Sequence, residues 1–168
     1  MEAKTSYAKI LAKIVDIPTL QEELINWKQE DKKIVFTNGC FDILHKGHIT
    51  YLAQAADLGD KLIVGVNSDA SIQKLKGKQR PILSQEDRLL QLAALEFVDK
   101  VIVFGEDTSI VLINSILPDV LVKGGDYIVE NIVGYKEVIQ NNGQVKVIPL
   151  IEGYSTTTFL QRIQQMGL

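Results

Sequence analysis

The chain has 168 residues, 46% of them hydrophobic, enough for one globular domain that buries roughly two-thirds of its unfolded surface. Lys and Arg number 18 against 21 Asp and Glu, a formal net charge of -3, so the broad positive field of a nucleic-acid binder is absent and the basic residues act locally. A single cysteine, Cys40, excludes an intrachain disulfide framework, the opening Met1-Glu2-Ala3-Lys4 lacks a signal-peptide core, and no apolar run nears the roughly 20 residues that span a bilayer, so a cytoplasmic protein without membrane or nucleic-acid partners is expected.

Residues 1–32 read as a helical arm, with a capping box at Thr19 and Glu22 and a helix running through Leu24, Ile25 and Trp27. The arm packs either on the rest of the chain or on a partner subunit, and the pattern does not choose. From residue 33 to 168, short β-branched runs alternate with helical stripes, the mark of parallel strands joined by crossover helices. Strands are expected at residues 33–37, 61–67, 100–104, 119–123 and 144–149. Helices are expected at 47–58, closed by Gly59; at 85–96 after Ser84; at 108–117, opened by Thr108 and stopped before Pro118; at 134–141 before Asn142-Gly143; and at 156–166. The fold class that follows is α/β, a doubly wound five-stranded parallel sheet with an N-terminal helical extension. Such sheets bind ligands beyond the carboxyl ends of their strands, at the switch in winding direction. Polar and glycine-rich sequence gathers at that rim: residues 37–42, Asn67-Ser68-Asp69, Gly105-Glu106-Asp107, Lys123-Gly124-Gly125-Asp126 and residues 152–157.

The chain's only two histidines, His45 and His48, stand three residues apart in the turn between the first strand and its helix. Glycines at 39 and 47 let backbone approach a ligand, and the open amides of a helix start favour an anion. Histidines on a surface or in a core make no such arrangement, and a zinc site lacks a ligand set, since only Cys40 and scattered carboxylates stand beside the pair. The expected chemistry is charge stabilisation on a triphosphate: His45 and His48 across its α and β groups, Lys46 neutralising charge, and the amides of residues 38–41 in close contact. Thr37, Asn38, Gly39, Cys40 and Phe41 thus join the two histidines as ATP-binding candidates.

The segment Gly39-Cys40-Phe41-Asp42-Ile43-Leu44-His45-Lys46-Gly47-His48 resembles the HxGH signature of the nucleotidyltransferase superfamily. Leu75-Lys76-Gly77 with Arg80-Pro81, Glu86-Asp87-Arg88, Pro118 through Tyr127, and Glu152-Gly153-Tyr154-Ser155-Thr156-Thr157 narrow the similarity. Together they resemble the heptose 1-phosphate adenylyltransferase domain, the second domain of the bifunctional heptose kinase and adenylyltransferase of lipopolysaccharide synthesis, over about residues 33–163. The resemblance implies a Rossmann-like nucleotidyltransferase fold, either stand-alone or excised from the kinase fusion, and a homodimer. It also implies adenylyl transfer from ATP to a sugar 1-phosphate such as D-glycero-β-D-manno-heptose 1-phosphate, and it assigns Ser155, Thr156 and Thr157 to the ATP phosphates.

Lys123 and Gly124 are further ATP-binding candidates at the end of the fourth strand. Asp42, Asn67, Lys76, Arg80 and Asp126 are candidates for the sugar phosphate, Lys76 and Arg80 by closing over it from a basic loop after the second strand. Mg2+ is expected with ATP, held by phosphate oxygens and water with no protein ligand directly assigned, and with Asp42 or Asp126 in an outer shell. A phosphate monoester is already largely dianionic at neutral pH, so no general base is needed. The rival readings are a cytidylyltransferase acting on an alcohol phosphate such as glycerol 3-phosphate, a non-catalytic nucleotide-binding module, and a metal-binding module. Related cytidylyltransferases carry an arginine shortly before the Ser-Thr-Thr stretch, where this chain has Leu150-Ile151, and that departure favours adenylyl transfer.

Overall fold

A computed structural model describes residues 5–167. Five strands, β1 (Ile34–Gly39), β2 (Lys61–Asn67), β3 (Lys100–Phe104), β4 (Val120–Gly124) and β5 (Gln144–Ile148), form one all-parallel sheet in the order β3-β2-β1-β4-β5. The chain winds outward from β1 to β3, then returns to the other side of β1 for β4, so the winding switches between β1 and β4. The other elements are α1 (Ser6–Leu11), α2 (Ile17–Gln29), α3 (Lys46–Ala56), α4 (Asp69–Lys76), α5 (Gln85–Ala93), α6 (Ile110–Ile116), a 3-10 turn at Val129–Asn131, α7 (Tyr135–Gln140) and α8 (Thr156–Gln165).

Successive strand residues point to opposite faces, which is why the strands read as continuous apolar runs and why the core has two layers. Val35, Val64 and Val122 meet Leu52 and Ala55 of α3 and Leu92 of α5 on one face. Ile34, Phe36, Ile63 and Leu121 meet Leu24 of α2, Leu112 and Ile113 of α6 and Val138 of α7 on the other.

Within the expected arm, residues 5–32 are part of this packing. Leu20, Leu24 and Trp27 of α2 are buried in the second layer. The segment between α1 and α2 pairs in parallel with β3 through Ile14 and Val101: the Val101 amide donates to the Lys13 carbonyl at 2.8 Å and the Val15 amide to the Val101 carbonyl at 3.0 Å. This covers the start of an edge that would otherwise present unpaired backbone groups there.

Three local expectations need correction. The helix expected at 108–117 runs from Ile110 to Ile116, with Ser109 and not Thr108 at its cap position. The start of α2 is capped by Asp16, whose carboxylate accepts from the Thr19 amide at 2.9 Å, with Pro18 in the first turn; no Thr19–Glu22 box forms. Asp16 has the extended backbone a cap needs, and Pro18 donates no amide where none is required, so the helix begins earlier than Thr19. The basic stretch Lys74, Lys76, Lys78 and Arg80, expected as a loop after β2, begins inside a helix, α4, capped by Ser68 accepting from the Ser71 amide, and only Lys78 and Arg80 lie in the loop beyond it. Lys74 and Lys76 lie in its last turn, where cations suit the dipole, and Gly77 ends it at φ 93°. The helix buries only Ser71 and Ile72, too short an apolar stripe to register as periodicity.

Candidate active site

The turn leaving β1 is bolted down before any ligand arrives. Phe41 takes a left-handed backbone, φ 45°. The fully buried Arg88 of α5 holds the turn there: Nη1 donates to the Cys40 carbonyl at 2.7 Å, Nε to the Leu83 carbonyl at 3.2 Å and Nη2 to Asp69 at 2.8 Å. The next residue, Asp42, is also buried, with its carboxylate accepting from Arg80 Nε at 2.7 Å and from the amides of Ile82 and Leu83 at 2.8 and 3.1 Å. Arg80 Nη2 lies 2.6 Å from the same carboxylate without hydrogen-bond alignment, a buried donor left over. Asp42 therefore clamps the 80–83 segment, and its acceptor capacity is spent on protein groups.

His45 is the cap of α3: its extended backbone lets Nδ1 accept from the His48 amide at 3.2 Å. That bond places the proton of the neutral ring on Nε2. The His48 ring stacks on it at 3.7 Å and 17°, and His48 Nδ1 donates to the Ile43 carbonyl at 3.1 Å, which leaves Nε2 with a lone pair when the ring is neutral. Burial lowers both pKa values, that of His48 to about 4, with the nearby His45 adding to the effect. Without a ligand both rings are thus neutral at physiological pH, and desolvation outweighs the backbone hydrogen bonds that favour their charged forms.

The start of α8 faces the start of α3. Ser155 caps α8 by accepting from the Thr158 amide at 3.0 Å, Thr156 is buried and Thr157 is exposed. Gly47 is what lets these two helix ends meet, since a Cβ there would lie 3.1 Å from both the His45 ring and Tyr154 Cβ. Two helix starts with free amides and their positive dipole ends thus converge on one space.

That space consists of two chambers. The smaller, about 180 Å³, is lined by His45, His48, Lys76, Arg80 and residues 155–157. The larger, about 610 Å³, runs along the carboxyl ends of the strands past Asn38, Asn67, Lys123 and Gly124 to the β3–α6 loop. His48, Lys76, Leu150 and Thr156 border both.

Not every candidate sits in this cleft. Thr37 is fully buried below it, paired with the Tyr51 hydroxyl at 2.6 Å, and burial raises that tyrosine to about 12. Lys46 is exposed and outside both linings, its Nζ 5.7 Å from the Tyr154 ring. Asp126 is exposed and borders neither chamber. Among the described residues no cluster of three or more His, Cys, Asp or Glu side chains could hold a metal. Arg88 was not singled out as functional. Its signal was available, an arginine on the apolar stripe of Leu89 and Leu92, a place that demands buried partners.

A parallel sheet with stacked histidines capping its first crossover helix, beside the switch in winding, defines the nucleotidyltransferase class of α/β fold. The chain belongs to the cytidylyltransferase-like family, which matches residues 36–162. It is similar to the bifunctional protein HldE of Cronobacter sakazakii, 54% identical over 146 residues that make up 87% of this chain and 31% of that protein. HldE of Koribacter versatilis is 48% identical over 151 residues, 90% of this chain and again 31% of the relative. Less than a third of the length of these relatives is therefore represented here.

Among solved structures, the lipopolysaccharide core biosynthesis protein from Thermoplasma volcanium shares 30% identity at a TM-score of 0.58, covering 74% of this chain and 99% of its own. The pantoate-beta-alanine ligase from Francisella tularensis, 16% identical at a TM-score of 0.55 and covering 92% and 78%, shares the fold. No helix among the described residues is long and apolar enough to cross a membrane.

Proposed function

We propose that the chain transfers AMP from ATP to a sugar 1-phosphate, D-glycero-β-D-manno-heptose 1-phosphate being the favoured acceptor, giving ADP-sugar and pyrophosphate for lipopolysaccharide core synthesis. The observation that carries this reading is the junction at His48, where a small basic chamber between two helix starts meets a larger one along the strand ends. The similarity to HldE over 90% of the chain supports the acceptor class.

The triphosphate occupies the smaller chamber. His45 Nε2–H, Lys76, the amides at the starts of α3 and α8 and the Arg80 guanidinium in the chamber wall receive its charge. His48 stands at the α-phosphate, where an acceptor oxygen from the larger chamber attacks in line and pyrophosphate leaves on the opposite side. The acceptor phosphate is its own nucleophile, so the site needs no base. Mg2+ enters with ATP as part of the substrate, held by phosphate oxygens and water, because Asp42 is already engaged and Asp126 is remote. The proposal includes a homodimer acting in the cytoplasm, and sedimentation mass checks the dimer.

The family description makes CTP with an alcohol phosphate the second reading. A pyrophosphate-release screen of ATP and CTP against heptose 1-phosphate and glycerol 3-phosphate separates the two. ATP with heptose 1-phosphate is expected to be fastest by far. Turnover only with CTP and glycerol 3-phosphate would overturn the proposal.

A further inference from the structure

Lys123, the residue before the last of β4, lines the larger chamber and takes no part in lining the smaller one. Its Nζ donates to Asn38 Oδ1 at 2.6 Å, which accounts for one of its three protons. Among the described residues no carboxylate pairs with it. A cation removed from water and given only a neutral amide is poorly compensated, and burial lowers its pKa to about 8. At neutral pH it is still mostly charged, in the lining of a chamber, without a carboxylate partner.

We infer that Lys123, oriented by Asn38, is the group that binds the acceptor's phosphate and not ATP's, an inference that rests on the reading of the chain as a nucleotidyltransferase. The positions of the charged groups carry it. Of the donors suited to a triphosphate, His45, Arg80, Ser155 and Thr157 line only the smaller chamber and Lys123 only the larger, with His48 and Thr156 between them. In-line displacement requires the incoming oxygen to approach the α-phosphorus opposite the departing pyrophosphate. With the pyrophosphate in the smaller chamber, the acceptor phosphate must lie in the larger, where Lys123 waits. The ammonium then offsets the repulsion between a dianionic acceptor and a polyanionic nucleotide. Asn38 fixes the direction of Nζ and leaves two of its protons free for phosphate oxygens.

The test separates the two substrates in the full chain. Lys123→Gln is expected to raise KM for heptose 1-phosphate by about tenfold to a hundredfold, the loss of one charge-assisted contact, while affinity for a non-hydrolysable ATP analogue stays within about threefold. Asn38→Asp is the second variant and keeps the lysine: a carboxylate beside Nζ supplies an internal counter-ion and is expected to raise the same KM, even if Lys123→Gln does not fold. Equal loss of ATP-analogue affinity in both variants, or an unchanged acceptor KM, would overturn the assignment. Inorganic phosphate titrated by calorimetry into protein saturated with the ATP analogue tests the subsite without turnover. Binding that Lys123→Gln abolishes, in a protein that makes no pyrophosphate with heptose 1-phosphate, would sink the sugar reading and leave the subsite standing.

Discussion

His48 is the residue on which the chemistry turns, because its ring borders both chambers. His48→Ala is expected to lower kcat by about a hundredfold to a thousandfold, as removal of one donor aimed at developing charge does, with the thermal midpoint little changed. Its protonation carries a second expectation. In the free protein the pKa is about 4 and Nδ1–H is committed to the Ile43 carbonyl, so Nε2 donates to a phosphate only once it gains a proton. An adjacent anion favours the charged form and raises that pKa, so the bound state holds more protons than the free one. Nucleotide affinity should therefore strengthen as pH falls from about 7 towards 5. Calorimetry in buffers of different ionisation enthalpy should show proton uptake in wild type that is missing in His48→Asn. At this scale the sequence led to the cleft lining through the histidines and the Ser155–Thr157 stretch, which sit at helix starts, and through Lys76 and Arg80, which belong to the basic stretch at and beyond the end of α4. Thr37, Lys46 and Asp126 show the limit. Neighbourhood along the chain does not tell which way a β1 side chain points, nor that Lys46 lies over Tyr154. The bond from Arg88 to Cys40 spans 48 residues and no local pattern announces it.

Among the elements, the strands were the most readable and the short helices the least. β2 and β3 have the expected bounds, because a run of β-branched residues buried on both faces leaves little alternative. The cap of α2 was misplaced because Asp16 and Thr19 both have cap chemistry, and only the backbone at Asp16 decides between them. No periodicity marks α4. The pairing of the α1–α2 segment with β3 was invisible for a different reason, since its partner lies 86 or more residues away. Val15→Pro removes the donor to the Val101 carbonyl. It should cost about 1–3 kcal/mol, the usual penalty for an orphaned buried acceptor, seen as a lower urea midpoint with an unchanged slope. An unchanged midpoint would mean that the pairing adds nothing to stability.

For the whole molecule, the two-layer core and the winding switch place every strand's carboxyl end on one rim, and the cleft gathers there from segments far apart in sequence. The fold class was legible because alternation of strands and helices is a global pattern that tolerates local errors. The chambers were not, since their shape depends on how closely α3 and α8 approach. Ligand choice is read at this scale too: ATP at a hundredfold excess over its dissociation constant should raise the melting temperature by roughly 5–10 °C, and CTP at the same concentration by much less. The reverse order would return the chain to cytidylyl transfer.

The backbone bonds between Lys13–Val15 and Val101 also shape how copies of the chain meet. With that flank of the sheet paired at Val101, the longer open ladder for strand-by-strand recruitment of a second polypeptide is the outer side of β5, where Gln144 and Lys146 are exposed. A lysine there places a charge in the way of any strand that would extend the ladder from that side.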